Sequence, residues 1–118
     1  DNPTKVVLNK NDFLESVERA SLLAKVGKNN LVRLDIRDGE IEITSKSEEG
    51  NVKEEVIASK EGNDLVIGFN SKYLIEALKV IDDESITMYF NTNVSPCLVT
   101  PVSGERYEYL ILPVRISQ

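Results

Sequence analysis

Two segments of the chain carry apolar residues at the three-and-four spacing that is typical of a helix with one buried face. The first helix is predicted to begin at a side-chain cap on Asn11 or Asp12 and to stop near Gly27. The second is predicted to follow residues 70–71 and to end at residues 82–83. The expected buried stripes are Phe13, Leu14, Val17 and Ala20 or Ser21 in the first helix, and Leu74, Ala77, Leu78 and Ile81 in the second.

Most of the remaining chain alternates between apolar and polar residues, which is typical of strands with one buried face. Asp38-Gly39 lies between two such runs and is a strong signal for a tight hairpin. Val56 and Ala58 are expected to face inward on their strand. The predicted strands span residues 6–8, 31–37, 40–44, 52–58, 64–69, 85–90, 97–100 and 107–112.

The predicted elements follow the order β-α-β-β-β and then repeat that order, which indicates a duplicated unit. The two halves also align at an offset of 60 residues. The matched pairs are Asn11/Ser71, Phe13/Tyr73, Leu14/Leu74 and Val17/Ala77. We therefore predict an α+β fold in which two helices lie side by side on one face of an antiparallel sheet.

The length of 118 residues is that of one domain, so residues 1–118 are treated as a single domain. Residues 1–4 read like the remnant of a linker from a longer protein. No apolar run approaches the roughly 18 to 20 residues needed to cross a bilayer, so no membrane partner is expected. Cys97 is the single cysteine and lies in an apolar run, which favours an unreactive packed thiol and a reducing, cytoplasmic location.

The chain contains no histidine, which removes the commonest general base, metal ligand and pH switch. The acidic pairs lie in polar runs or turns and are interpreted as solvated surface. No glycine-rich phosphate loop is present. We therefore predict a binding protein without catalytic residues, metal or cofactor, and the net charge of −6 argues against binding nucleic acid over the whole surface.

Two features of the helices have both a structural and a binding explanation, and the residue pattern does not decide between them. Several basic residues lie on or just beyond them and either are solvated or make weak contacts with phosphates. Leu22 and Leu23 are adjacent, so they cannot both lie at the centre of the buried stripe. They either extend the core or contact a partner.

Two features of the strands also have two explanations each. The acidic stretch 48–55 is either an edge strand protected by charge or an edge that pairs with a basic partner. Leu110, Ile111 and Leu112 are apolar at successive positions, so a strand there has apolar side chains on both faces. The run is either a terminal core strand or a strand whose second face receives a partner, and Pro113 indicates a strand end.

Three segments resemble the C-terminal third of the bacterial DNA polymerase III beta subunit, the sliding clamp. They are residues 69–78 (Phe-Asn-Ser-Lys-Tyr-Leu-Ile-Glu-Ala-Leu), Ser95-Pro96, and residues 109–116 (Tyr-Leu-Ile-Leu-Pro-Val-Arg-Ile). The resemblance extends in register over essentially the whole chain. It implies a non-catalytic domain, three of which form one protomer, with two protomers closing head to tail around duplex DNA.

The resemblance also implies three sets of functional residues. A pocket for Gln-x-x-Leu-Phe-like peptides of polymerases, the clamp loader and repair proteins would use Asn70, Tyr73, Val94, Pro96, Leu110, Leu112, Pro113, Val114 and Arg115. Ring closure with the second protomer would use Leu22, Leu23, Glu49, Glu54 and Glu55. Loose contacts with the phosphates of duplex DNA would come from Arg19, Lys25, Lys28, Lys72 and Lys79. In the family, the middle domain and the interdomain linker complete the peptide pocket.

Two other functions compete with the clamp interpretation. One is a substrate-recognition or regulatory domain of a larger enzyme, which a neighbouring catalytic domain would support. The other is an isolated nucleic-acid-binding module, which measurable affinity of this domain for duplex DNA would support.

Overall fold

The computed structural model describes residues 4–24, 30–47, 50–101 and 108–116. Within these residues the order β-α-β-β-β occurs twice, as predicted. The first unit consists of β1 (Thr4–Asn9), α1 (Lys10–Ala24), β2 (Leu31–Arg37), β3 (Glu40–Ser47) and β4 (Gly50–Glu61). The second consists of β5 (Leu65–Asn70), α2 (Ser71–Lys79), β6 (Ser85–Phe90), β7 (Cys97–Pro101) and β8 (Tyr109–Ile111).

The helix boundaries differ from the prediction at two points. The cap of α1 is Asn9 rather than Asn11 or Asp12, since the Asn9 side-chain oxygen accepts a hydrogen bond from the Asp12 backbone N–H at 2.8 Å. At the other point, α2 ends at Lys79 rather than at residues 82–83. The expected stop of α1 at Gly27 lies outside the described residues.

The internal repeat is confirmed, but its offset is 61 residues rather than 60. Both β1 and β5 are six residues long and end in an asparagine, Asn9 or Asn70, that caps the following helix. At this offset Phe13 matches Leu74, and both are fully buried. The offset of 60 matched Phe13 with Tyr73 instead, which is exposed. The sequence alignment was therefore one residue out of register, because it matched side chains by type and did not use the strand and helix boundaries.

The strands form one antiparallel sheet in the order β5-β2-β3-β4-β1-β6-β7-β8. Each unit contributes consecutive neighbours, β2-β3-β4 and β6-β7-β8, and β1 joins the two units by pairing with both β4 and β6. At the far ends, Val114 forms an isolated bridge with Gly68 in β5, so the chain after β8 approaches the opposite edge of the sheet.

The core lies between the sheet and the two helices, which pack against each other. Its largest buried side chains come from both units, including Phe13, Phe69 and Phe90. Val56 and Ala58 face inward as predicted, whereas Leu14 and Ala77 are only partly buried. The predicted pair of helices on one face of an antiparallel sheet is confirmed.

Among the described residues, neither helix has the length and apolar character required to cross a bilayer.

Candidate functional site

The segment that ends the second unit has apolar side chains on both faces, as the successive leucine, isoleucine and leucine indicated. Ile111 points into the core and is buried. Its two neighbours point the other way, and Leu110 is 69% exposed while Leu112 is 73% exposed. The terminal-core explanation therefore holds for Ile111 only, and the two leucines lie on the surface.

This segment is held between two other parts of the chain. On one side β8 pairs with β7, with Cys97 opposite Ile111, and this antiparallel register continued by one residue sets Pro96 beside Leu112. On the other side the Val114 N–H donates to the Gly68 carbonyl oxygen at 2.8 Å. Asn70 follows two residues after Gly68, at the end of β5. The segment from Tyr109 to Val114 therefore contacts both β7 and β5.

Helix α2, which begins directly after Asn70, is in contact with β8. Asn70 caps this helix, because its side-chain oxygen accepts from the Lys72 N–H at 2.9 Å and from the Tyr73 N–H at 3.4 Å. The oxygen is therefore committed to the helix, and the amide nitrogen is the part of Asn70 left for a ligand. The cap also fixes Tyr73, whose side chain is 62% exposed.

The turn before β7 carries Val94 and leads to Pro96. The Val94 N–H donates to Thr92 Oγ1 at 3.2 Å, and that hydroxyl lies 2.7 Å from Ser95 Oγ. These bonds fold the turn so that Val94 is 48% exposed and Pro96 is exposed at the start of β7.

We define the tail site as the nine residues that the family resemblance assigned to peptide binding: Asn70, Tyr73, Val94, Pro96, Leu110, Leu112, Pro113, Val114 and Arg115. The described residues include eight exposed large hydrophobic side chains, and four of them belong to this site. These four exposed apolar side chains make the tail site a candidate interaction surface.

A second candidate surface is the edge of β4 over residues 50–57, which we call the β4 edge. β3 pairs with one side of this segment, while β1 pairs with β4 only from Ala58 onward. Among the described residues no strand pairs with the other side of the β4 edge. The predicted edge strand is therefore confirmed, and Ile57 on it is 86% exposed.

Charged residues line the β4 edge. Arg19 Nε and Nη2 both donate to Glu54 Oε1, at 3.1 Å and 3.0 Å. This hydrogen bond, together with the negative charge of Glu54, raises the pKa of Arg19. Arg19 and Glu55 also line one small cleft beside Ile57, of about 240 Å³. Arg19, which the sequence grouped with the DNA-facing residues, thus lies with the residues assigned to ring closure.

A larger cleft of about 660 Å³ runs between the two helices. It is lined by Leu22 and by two of the predicted DNA-facing lysines, Lys72 and Lys79. Lys79 lies 3.8 Å from Glu18 across this cleft. Leu22 is 67% exposed and Leu23 is partly buried, so the two adjacent leucines have different environments.

Three of the predicted site residues lie outside the described residues. They are Lys25, Lys28 and Glu49.

Sequence reasoning missed two residues at these surfaces. Ile57 follows from the strand pattern itself, since inward-facing neighbours on both sides require it to point outward. Gly68 lies inside a strand, where a glycine often marks a close approach of another segment. A Cβ atom added there would lie 2.6 Å from Ile116 Cγ2.

The described residues contain no group of three or more histidine, cysteine or acidic side chains arranged to hold a metal ion. Cys97 is fully buried, and burial raises the pKa of its thiol. The thiol is therefore protonated at neutral pH and is a poor nucleophile, as its apolar neighbours in the sequence indicated.

Comparisons with known proteins agree with this geometry. Residues 1–115 match the family model of the DNA polymerase III beta subunit, C-terminal domain. The chain is 42% identical over 118 residues to the beta sliding clamp of Bacillus subtilis. The alignment covers 98% of this chain and 31% of that protein.

Solved structures give the same result. The crystal structure of the Bacillus subtilis DNA polymerase sliding clamp superposes with a TM-score of 0.92 at 40% identity, covering 99% of this chain and 32% of that one. The DNA polymerase III beta chain of Streptococcus pneumoniae has a TM-score of 0.93 at 37% identity, covering 98% and 32%. The chain spans about a third of the length of these relatives. It therefore belongs to the family of the DNA polymerase III beta subunit, the non-catalytic sliding clamp of DNA replication, and corresponds to the C-terminal domain of that subunit.

Proposed function

We propose that this domain docks short linear peptides at the tail site and, with further domains, closes a two-protomer ring around duplex DNA. The observation that carries the peptide assignment is the pair of leucines, Leu110 and Leu112, exposed on either side of the buried Ile111. A peptide that covered the two leucines would gain from their burial, which contributes about 1.5 to 3 kcal/mol for each fully buried side chain.

The chemistry of the tail site fits a peptide of the Gln-x-x-Leu-Phe type. Exposed apolar and aromatic side chains offer a floor for the leucine and phenylalanine anchors. The Asn70 amide nitrogen and the exposed Arg115 offer polar contacts at the rim. An affinity in the micromolar range, about −8 kcal/mol, would allow a polymerase, the clamp loader and repair proteins to exchange on one site.

Ring closure with a second protomer is proposed at the β4 edge together with Leu22 and Leu23. Unpaired backbone groups along residues 50–57 can accept a further strand, which extends the sheet across a subunit boundary. Glu54 and Glu55 would select a basic partner surface, and the exposed Leu22 and Ile57 would add apolar contacts.

The contact with duplex DNA is proposed to be loose and independent of sequence, with Lys72 and Lys79 contributing from α2. Both side chains are exposed, and the net charge of −6 keeps the overall affinity for DNA low. Weak contact suits a protein that must move along DNA, since each strong phosphate contact resists sliding.

Replication is a cytoplasmic process in bacteria, and we propose that location. We also propose that residues 1–118 are the third domain of the clamp and that residues 1–4 belong to a linker.

A titration of a Gln-x-x-Leu-Phe peptide, followed by amide NMR shifts, tests the peptide assignment. The expected result is a set of shifts confined to the tail site, with none at the β4 edge. A peptide with alanine at both anchor positions is the control and should leave the spectrum unchanged. Shifts that avoid Tyr73, Val94 and residues 110–114 would show that the site is assigned wrongly.

Sedimentation of the protein with all its domains tests ring closure. Leu22→Ala combined with Leu23→Ala should shift the equilibrium at low concentration toward monomer, since both leucines are proposed to contact the second protomer. Val80→Ala is a matched control, because Val80 is an exposed aliphatic residue outside the proposed interface. An unchanged monomer fraction in the double variant would contradict this part of the proposal.

A further inference from the structure

Gly68 occupies a position in β5 where the sheet has no space for a side chain. A Cβ atom added there would lie 2.6 Å from Ile116 Cγ2, 3.0 Å from Leu31 Cδ1 and 3.2 Å from the Val114 carbonyl oxygen. The first of these distances is shorter than real carbon contacts, so Ile116 would have to move. Two of the three obstacles belong to the segment that follows β8.

The backbone of Gly68 gives no other reason for a glycine. The described glycines with positive φ are Gly39, Gly50 and Gly62, and Gly68 is not among them. Its conformation is therefore one that any residue adopts in a strand. A glycine inside a strand is unfavourable in itself, because it loses more conformational entropy on folding than other residues do.

The duplicated unit provides an internal comparison. At the offset of 61 residues, Gly68 corresponds to Val7, which carries a β-branched side chain at the same place in β1. The β-α-β-β-β unit therefore accepts a side chain at this position. What distinguishes the second unit is the chain after β8, since Val114 and Ile116 pass over β5 there.

The same segment carries the tail site. Pro113 has no N–H to donate, so the β8 ladder cannot continue through it. The next residue, Val114, donates its N–H to the Gly68 carbonyl oxygen at 2.8 Å. This bond and the contact of Ile116 anchor the end of the segment whose exposed leucines are proposed to receive the peptide.

We propose that Gly68 is a positioning residue of the tail site: the absence of its side chain lets Val114 and Ile116 seat against β5 and thereby sets the orientation of Leu110, Leu112 and Pro113. This inference rests on the proposed peptide-docking function. Gly68 contacts no peptide itself and acts through the segment that lies on it.

A double-mutant cycle tests the proposal with Gly68→Ala, Ile116→Ala and the two combined. Gly68→Ala should weaken binding of a Gln-x-x-Leu-Phe peptide about tenfold, because the added methyl group displaces the segment. Ile116→Ala should weaken binding less than Gly68→Ala does, since it removes one anchoring contact but leaves the Val114 hydrogen bond to Gly68 in place. The combined variant should regain most of the lost affinity. Such a rescue is not expected if Gly68 only stabilises β5.

A second readout is independent of the peptide. Hydrogen exchange of the Val114 amide should accelerate in Gly68→Ala and return toward the original rate in the combined variant. If the unaltered protein binds no peptide, the proposed function fails, and the Val114 exchange rates alone then decide whether Gly68 seats the segment.

Three outcomes would overturn the inference. One is a Gly68→Ala variant that binds the peptide as tightly as the unaltered protein does. Another is a combined variant that stays as weak as Gly68→Ala alone. The third is loss of folding in both the single and the combined variant, because the sheet itself would then require the glycine.

Discussion

The two β-α-β-β-β units have the same element order but end differently. In the first unit the last strand, β4, has twelve residues and forms four pairs with β1. In the second unit the last strand, β8, has three residues, and the chain beyond it meets β5 through a single bridge at Gly68. The first ending is a long charged edge, whereas the second is a short segment with exposed leucines.

If the proposed function holds, one repeated unit supplies two kinds of interface. An unpaired strand edge with charges on it favours a permanent partner that continues the sheet, since backbone hydrogen bonds give affinity and charges give specificity. A small apolar surface with a few polar groups favours short peptides that bind and leave. Both units contribute to one core, so the proposed difference in binding lies in the last strand of each unit.

The largest expected effect is a loss of folding stability, and it tests whether the two units are equivalent. At the offset of 61 residues Phe13 corresponds to Leu74, and both are fully buried. Phe13→Ala should therefore lower the free energy of unfolding by about 3 to 5 kcal/mol, and Leu74→Ala by about 2 to 5 kcal/mol. Urea denaturation measures both values.

Tyr73→Ala is the matched control for that comparison, because Tyr73 is the partner of Phe13 at the offset of 60. Its side chain is mostly exposed, so its replacement should change the free energy of unfolding by only about 0.5 kcal/mol. A loss from Tyr73→Ala as large as that from Leu74→Ala would mean that the units are not related by 61 residues.

The next effect separates the two endings by function. Leu110→Ala and Leu112→Ala should each cost about 2 kcal/mol of peptide binding, because they are proposed to hold the apolar anchors. Since both side chains are exposed, the free energy of unfolding should change by only about 0.5 kcal/mol. Isothermal titration calorimetry with a Gln-x-x-Leu-Phe peptide measures the free energy of peptide binding.

Ile57→Ala is the control at the other ending. Ile57 is the most exposed of the large hydrophobic side chains that the structure describes, yet it lies on the β4 edge. Its replacement should leave peptide binding unchanged. Equal losses from Ile57→Ala and Leu110→Ala would mean that the peptide does not distinguish the two endings.

Most of the fold follows from the sequence because periodicity reports directly which side chains are buried. The strand pattern around Val56 and Ala58 predicted their burial, and it also required Ile57 to point outward. The cap at Asn9 was missed because Asn11 and Asp12, two residues of the same capping class, follow it closely. Choosing among them requires the end of β1, which depends on pairing with β4 and β6.

The candidate site was less predictable from pattern alone. The run from Leu110 to Leu112 indicated a strand with apolar side chains on both faces, but periodicity does not indicate what lies beside the second face. Asn70 and Pro96 were assigned to the site by resemblance to a family, and the structure places Pro96 just before β7, which pairs with β8, and Asn70 two residues after the Gly68–Val114 bridge. The pairing of Arg19 with Glu54 was not predictable, since it depends on how α1 lies over β4.

A smaller effect tests the two helix caps. Asn9 and Asn70 hold corresponding positions, and each accepts a hydrogen bond from a backbone N–H in the first turn of its helix. Replacing either by alanine should lower the free energy of unfolding by about 1 kcal/mol. Asn70→Ala should also weaken peptide binding, because its cap fixes Tyr73, whereas Asn9→Ala should not. Thermal unfolding and the peptide titration together check this difference, and an equal loss of peptide affinity in both variants would contradict it.

The smallest effect is the response of the two endings to salt. The contact between Arg19 and Glu54 is exposed, as are the charges around it on the β4 edge. Raising the salt concentration from about 0.1 M to about 1 M shortens the Debye length from about 10 Å to about 3 Å, which screens such charges. Dimerisation of the protein with all its domains should therefore weaken, as measured by sedimentation. Peptide binding at the apolar tail site should change by no more than about twofold over the same range. If peptide binding fell with salt as steeply as dimerisation, charge rather than apolar contact would control both endings, and the contrast between the two units would be wrong.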